Sequence, residues 1–314
     1  MRRRIIAAAL WLGAMTLLGG CGSLPDGKPF ADASNALLSS VKSSGNAVED
    51  ALGDAATASP GDKAAYEALE GKFAKAWERR IAMTQAAARY SEAIADEIAA
   101  GNSGGETAGR VADSLKALAE GVNIPVAAPA VGVAGDLARF IFARVAIVKA
   151  SQSLESAVTQ AQPAIDRIAQ QIVDDSDRQL KGLLLDLYKN TVSGIKEPYD
   201  RDDSFAQQAA RRREAQRQLA LKDPSALAKL EQYDRVQASV ADSLQERDRK
   251  LAAAAAAYRT RLRLVNAMSH ATLTWAQAHR DLAAAIQQKR KVDASELQST
   301  IVELRALARK VGEL

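Results

Sequence analysis

Three side chains hold most of the capacity for nucleophilic, acid–base or metal chemistry in this sequence: Cys21, His270 and His279, its only cysteine and its only histidines. A helix advances about 100° per residue, so two histidines about two and a half turns apart face opposite ways and cannot close on one metal. No H-x-x-x-H pair and no second cysteine supply zinc ligands, and no glycine loop ending in Lys-Ser or Lys-Thr cradles a phosphate. The adjacent carboxylates Asp96-Glu97 and Asp174-Asp175 diverge on a helix and do not form an acid/base dyad. Arg211, Arg212, Arg213 and Arg217 form the densest positive cluster. Such a cluster suits a lipid headgroup phosphate or an acidic partner. The nearby Asp200, Asp202 and Asp203 equally allow an ordinary solvated face. Neither a metal nor a cofactor is expected, and the chain is read as non-enzymatic.

Two short motifs resemble known families. Gly101-Asn102-Ser103-Gly104-Gly105 fits the G-x-S-x-G pattern of serine hydrolases and resembles the nucleophile loop of chymotrypsin-like proteases. That chemistry needs a strand-to-helix elbow or a barrel, with a histidine and a carboxylate in reach. Here the motif falls between two helical patterns and is read as an interhelical loop. At the start of the chain, Arg2-Arg3-Arg4 precede an apolar run from Ile5 to Leu18, which is too short for a comfortable span but suits a signal-peptide core. It ends in Leu18-Gly19-Gly20-Cys21, which resembles the lipobox of bacterial lipoproteins. The resemblance implies that residues 1–20 are a signal peptide removed by signal peptidase II, and that Cys21 carries lipid. About two or three acyl chains make a stable anchor where a single chain is marginal. Gly22, in place of the aspartate that marks inner-membrane retention, implies the outer membrane, facing the periplasm.

Composition narrows the rest. The 42 Lys and Arg residues exceed the 38 Asp and Glu by 4, and Arg2, Arg3 and Arg4 of the leader supply three of those. The remaining chain is near neutral and has no overall electrostatic reason to bind nucleic acid. Acylation of Cys21 leaves no thiol for an internal disulfide, so stability must come from buried apolar surface. Aromatic residues are only 4%, while alanine, leucine, glutamine, arginine and glutamate abound, and alternating β-branched runs are absent. That is helix-forming composition.

The elements that position these residues are read as an all-α, elongated helical bundle with long coiled-coil-like helices over residues 31–314, joined to Cys21 by a tether at 21–30. A first helix over about 31–57 is weakened by Gly45 and Gly53. A second runs from Asp62 to about Ala100, with Tyr66, Leu69, Phe73, Trp77, Ile81, Ala88, Ile94 and Ile98 as its apolar positions, and a shorter one covers 106–120. Helix is expected to resume near Asp136 and to continue, bent at Pro163, to about Lys196. Within it Leu154, Val158, Ala161, Ile165, Ile168 and Ile172 repeat at alternating spacings of four and three, a narrow seam. A basic helix follows over 204–220, and a long one over about 225–289. Its stripe holds Val240, Leu244, Leu251, Tyr258, Val265, Met268, Trp275, Leu282 and Ile286, interrupted by Arg247, Arg261, Thr272 and His279. Asp293 opens a last helix.

The uncharged segment 121–135, broken by Pro125 and Pro129, sits where the hydrophobic tongue lies in helical pore-forming toxins related to cytolysin A, and the chain resembles those rods in architecture only. The preferred reading packs Val126, Val131 and Val133 into the body as a buried crossover. Function is then expected to be that of a periplasmic scaffold or adaptor, anchored through Cys21 and holding a protein partner through helical surfaces, with homo-oligomers also compatible. A membrane-active bundle, and an envelope enzyme or ligand-binding protein, are the alternatives.

Overall fold

The structure, a computed structural model, describes residues 24–122, 131–223, 225, 227–290 and 295–312. Cys21, the leader and Asp293 lie outside the described residues. So do residues 123–130 of the apolar segment and the side chains as far as residue 135. Among the described residues there is no strand, and the fold is an all-α helical bundle.

The elements are α1 (Lys28–Ala58), α2 (Lys63–Ala99), α3 (Gly105–Val122), α4 (Val131–Lys149), α5 (Leu154–Asp175), α6 (Lys181–Lys196), α7 (Asp200–Ala220), α8 (Leu227–Gln288) and α9 (Ser295–Gly312). At 62 residues, α8 is about 93 Å long at about 1.5 Å per residue. Short 3-10 turns at Pro60–Asp62 and Glu197–Tyr199 take up the two proline positions. The chain divides into two compact units. The first gathers the described residues up to Asn35 with Ala86–Arg167 and Thr274–Gln298. The second gathers Ala36–Gln85, Ile168–Leu273 and the described residues from Ser299.

In the first unit α3 and α4 pack on each other, and Val111, Leu115, Leu118, Leu137 and Ile141 are buried there. Helix α4 is already helical at Val131, earlier than the expected Asp136. The expected single helix from 136 onward breaks after Lys149. Ser153 starts α5 as its N-cap, its Oγ accepting the Ser156 amide at 3.2 Å, with Glu155 in the first turn complementing the helix dipole. The narrow seam is fully buried, from Leu154 at 0% to Ile172 at 5% exposure, and Pro163 is accommodated inside the helix.

In the second unit a π-helical turn at Ser176–Leu180 joins α5 to α6. Buried Ile172, Ser176, Leu180 and Leu184 follow at successive spacings of four, which would drift around an ideal helix by about 40° each. The wider π turn absorbs that drift and keeps them on one face. Gly45 is a packing device rather than a weak point: a Cβ there would meet Trp77 Nε1 at 2.1 Å. The notch admits the indole, whose N–H donates to the Val41 carbonyl at 3.0 Å. Gly53, by contrast, has open space around it.

Candidate functional site

His279 lies on α8 with its side chain wholly buried in the first unit. Tyr90 Oη is 2.8 Å from Nε2, and Gln162 Oε1 is 2.5 Å from Nδ1. Gln162 Nε2 donates to Asp166 at 2.7 Å and to the Ala276 carbonyl at 3.2 Å, which fixes Oε1 as the atom facing the ring. Nδ1 therefore carries the proton, and Nε2 accepts from the tyrosine. The polar chain continues to the surface through Arg280, which donates to Asp166 at 2.7 Å. Burial, with the nearby Arg280 charge adding to it, drives the imidazole down to about 3, and burial pushes the Tyr90 hydroxyl up. Neutral partners hold both groups in neutral form, so the arrangement orients the core and does not poise an acid or base near neutrality. Beside it Trp275 Nε1 donates to Ser34 Oγ at 2.7 Å, and Ser34 donates to Ser91 at 2.7 Å or to the Phe30 carbonyl at 2.9 Å. His270 is exposed on the opposite side of α8, as its spacing requires.

Ser103 sits in the loop that ends α2, not in an elbow. Gly101, at φ +71°, terminates the helix, with its amide on the Ile98 carbonyl and the Asn102 amide on the Glu97 carbonyl, each at 3.0 Å. This is a Schellman stop. Ser103 itself is exposed, and its carbonyl accepts the Leu154 amide at 3.1 Å. Glu97 in the last turn of α2 opposes the helix dipole, and Arg110 compensates with a two-pronged contact whose Nη2 arm measures 2.6 Å. The Arg110 hydrogen bond holds the Glu97 carboxyl below the usual range against the opposing effect of burial.

The adjacent carboxylates diverge as expected: Asp174 pairs with Arg178 at 2.9 Å, and Asp175 with Arg80 at 3.0 Å. The arginine cluster on α7 is answered differently from the sequence reading. Arg213 meets Asp234 of α8 at 2.5 Å and Arg217 meets Glu214 at 3.8 Å. Asp202 instead accepts from Ser243 at 2.6 Å, and Asp203 pairs with Arg247 at 2.8 Å. The polar members of the α8 stripe thus have partners of their own. Arg261, with a side chain only 7% exposed, is the clearest case, meeting Asp54 at 2.6 Å.

The feature that sequence reasoning did not find is an open groove of about 800 Å³ in the second unit, walled by the ends of α1 and α6 and floored by α8. Its floor is Ala253, Ala254, Ala256 and Ala257, methyl groups that leave room for close approach to the helix backbone. Gly194 brings α6 against α1, since a Cβ there would lie 2.3 Å from the Ala58 carbonyl. Thr57 and Thr191 line the walls, with Asp54 toward one end. At the other, Lys250 donates to Tyr199 Oη at 3.1 Å; at 5.6 Å from the ring centre the ammonium lies beyond the hydroxyl, not over the face. Among the described residues no group of acids, histidines or cysteines is placed to hold a metal, and no helix is long and apolar enough to cross a membrane. No family model matches the chain, and neither a curated protein nor a solved structure does.

Proposed function

We propose that the chain is a lipid-anchored envelope protein, held through Cys21 at the outer membrane on the periplasmic side, and that it acts as a non-enzymatic adaptor. The groove carries this reading. A helix about 10 Å across and rising about 1.5 Å per residue displaces roughly 120 Å³ per residue, so 800 Å³ takes about two turns. An alanine floor lets a second backbone come near enough for dispersion contacts along those turns. Thr57, Thr191, Lys250 and Asp54 then supply the few polar contacts that set register and direction. The occupant best matched to this surface is an amphipathic helix with small residues on its buried face. The same volume lies within the range of small-molecule pockets, which makes an apolar ligand the second reading.

Plugging the floor tests the adaptor reading. Full-length protein carrying Ala253→Trp and Ala257→Trp is recovered from solubilised envelopes beside the parent. A protein that co-purifies with the parent and is lost from the plugged variant, with helicity and melting unchanged, supports the adaptor. The same proteins recovered with both would contradict it.

A further inference from the structure

A different surface, also within the second unit, has the makings of a membrane contact. Helices α7 and α8 form an antiparallel hairpin, as the cross-pairs Arg213–Asp234, Asp202–Ser243 and Asp203–Arg247 show by their converging numbers. From Asp200 to Ser239, Ala209 is the only buried residue among those described, so this arm has little core of its own. At its turn, the Lys222 and Asp223 amides close on the Leu219 carbonyl, each at 2.9 Å. Asp223 then accepts the Ser225 amide at 2.9 Å, and hydrogen bonding from the Ser225 side chain, with that amide adding to it, holds its carboxyl below the usual range.

The apex presents apolar side chains to solvent. Leu219, Leu221 and Leu227 are 56%, 78% and 54% exposed. Around them stand Arg211, Arg212, Arg217, Lys222 and Lys229, all exposed. Of the acids nearby, Glu214 faces Arg217, Asp234 faces Arg213, Asp223 is engaged at the turn, and Glu231 is exposed on α8. Over residues 211–235 seven basic side chains stand against four acidic ones, so the end of the arm that bears the three leucines is net positive.

We propose that this apex docks on an anionic phospholipid surface, its leucines entering the acyl boundary while Arg217, Lys222 and Lys229 meet headgroup phosphates. A protein groove would need shape on both sides. A turn bearing exposed leucines and exposed cations needs only a surface that is apolar below and negative above, which is what such a bilayer offers. The contact is independent of the groove and of the Cys21 anchor.

The test uses the full chain with Gln218→Cys, exposed beside Leu219, carrying an environment-sensitive fluorophore. The parent chain taken through the same labelling sets the background from Cys21. Reconstituted protein is titrated with vesicles of phosphatidylcholine alone or with phosphatidylglycerol added. A blue shift and protection from iodide, reached at roughly tenfold less lipid when phosphatidylglycerol is present, supports the proposal. Replacing Leu219, Leu221 and Leu227 by serine weakens the response by about a hundredfold or more with helicity unchanged, because more than half of each side chain faces solvent. Arg217→Gln, Lys222→Gln and Lys229→Gln together abolish the preference for the anionic vesicles and its sensitivity to salt. No shift with either vesicle overturns the proposal. So does an equal shift with both, a response that survives the loss of the leucines, or one that depends on protein concentration without lipid and marks self-association.

Discussion

Between about pH 6.5 and about pH 3, lowering the pH charges His279 in the unfolded chain and not in the folded one, and the resulting loss of stability is calculable. The folded imidazole is driven down to about 3, chiefly by burial, while an unfolded histidine titrates near its ordinary 6.5. The folded state therefore binds fewer protons, and stability falls as pH drops below about 6.5, continuing until about 3. The slope for one proton is about 1.4 kcal/mol per pH unit, which accumulates to about 2 kcal/mol between about pH 7.5 and about pH 5. Carboxylates also titrate at the acid end, so the measurement is a difference between the parent and His279→Gln. Both are unfolded in urea at several pH values, with helical circular dichroism as the signal. The variant should be less stable near neutrality by about 1–3 kcal/mol, since Tyr90 and Gln162 lose well-placed partners. That gap should shrink by about 2 kcal/mol on acidification to about pH 5. Parallel stability curves would refute the buried, neutral histidine and the hydrogen-bond chain built on it.

Three further outcomes follow from the same reasoning. Gly45→Ala should destabilise by about 2 kcal/mol, because the displaced Trp77 ring and its lost hydrogen bond outweigh a helix-propensity gain of about 1 kcal/mol, whereas Gly53→Ala should stabilise slightly; thermal melts of the pair check this. Cys21→Ser should abolish labelled-palmitate incorporation and leave the protein uncleaved or released from membranes, and undiminished labelling would exclude that residue as the anchor. If residues 121–135 form the buried crossover expected from sequence, charged substitutions at Val131 and Val133 should cost a few kcal/mol each, as unpaired buried charges, and lower the melting temperature. Unchanged melting, together with loss of dye leakage that the parent protein causes, would instead favour the membrane-active alternative.

The helical class and the α5 seam were legible because they are local, whereas in the α8 stripe Leu244, Leu251 and Tyr258 are only half-buried. The alternation of fours and threes from Leu154 to Ile172 needs only one helix to be read, and every member is buried. The break at 150–153 escaped notice because Ser151-Gln152-Ser153 contains neither glycine nor proline; its signal was a serine cap followed by Glu155. Gly45 and Gly53 look alike in sequence and differ only in whether an indole lies opposite. The partners of His279 are equally distant matters, Tyr90 and Gln162 being 189 and 117 residues away. The alanines at 252–257 read as helix-forming residues, and they become a groove floor only when α1 and α6 arrive on either side.

The adaptor reading stands or falls on what occupies that groove in the cell. A photoreactive amino acid at Ala256, on the groove floor, is activated in intact cells and compared with one at Gly53, whose surroundings are open. The account expects a discrete crosslinked protein from Ala256 and not from Gly53, with the crosslinked peptide falling in an amphipathic helical segment rich in small residues. Crosslinks to lipid or small molecules alone, or the same adducts from both positions, would contradict it.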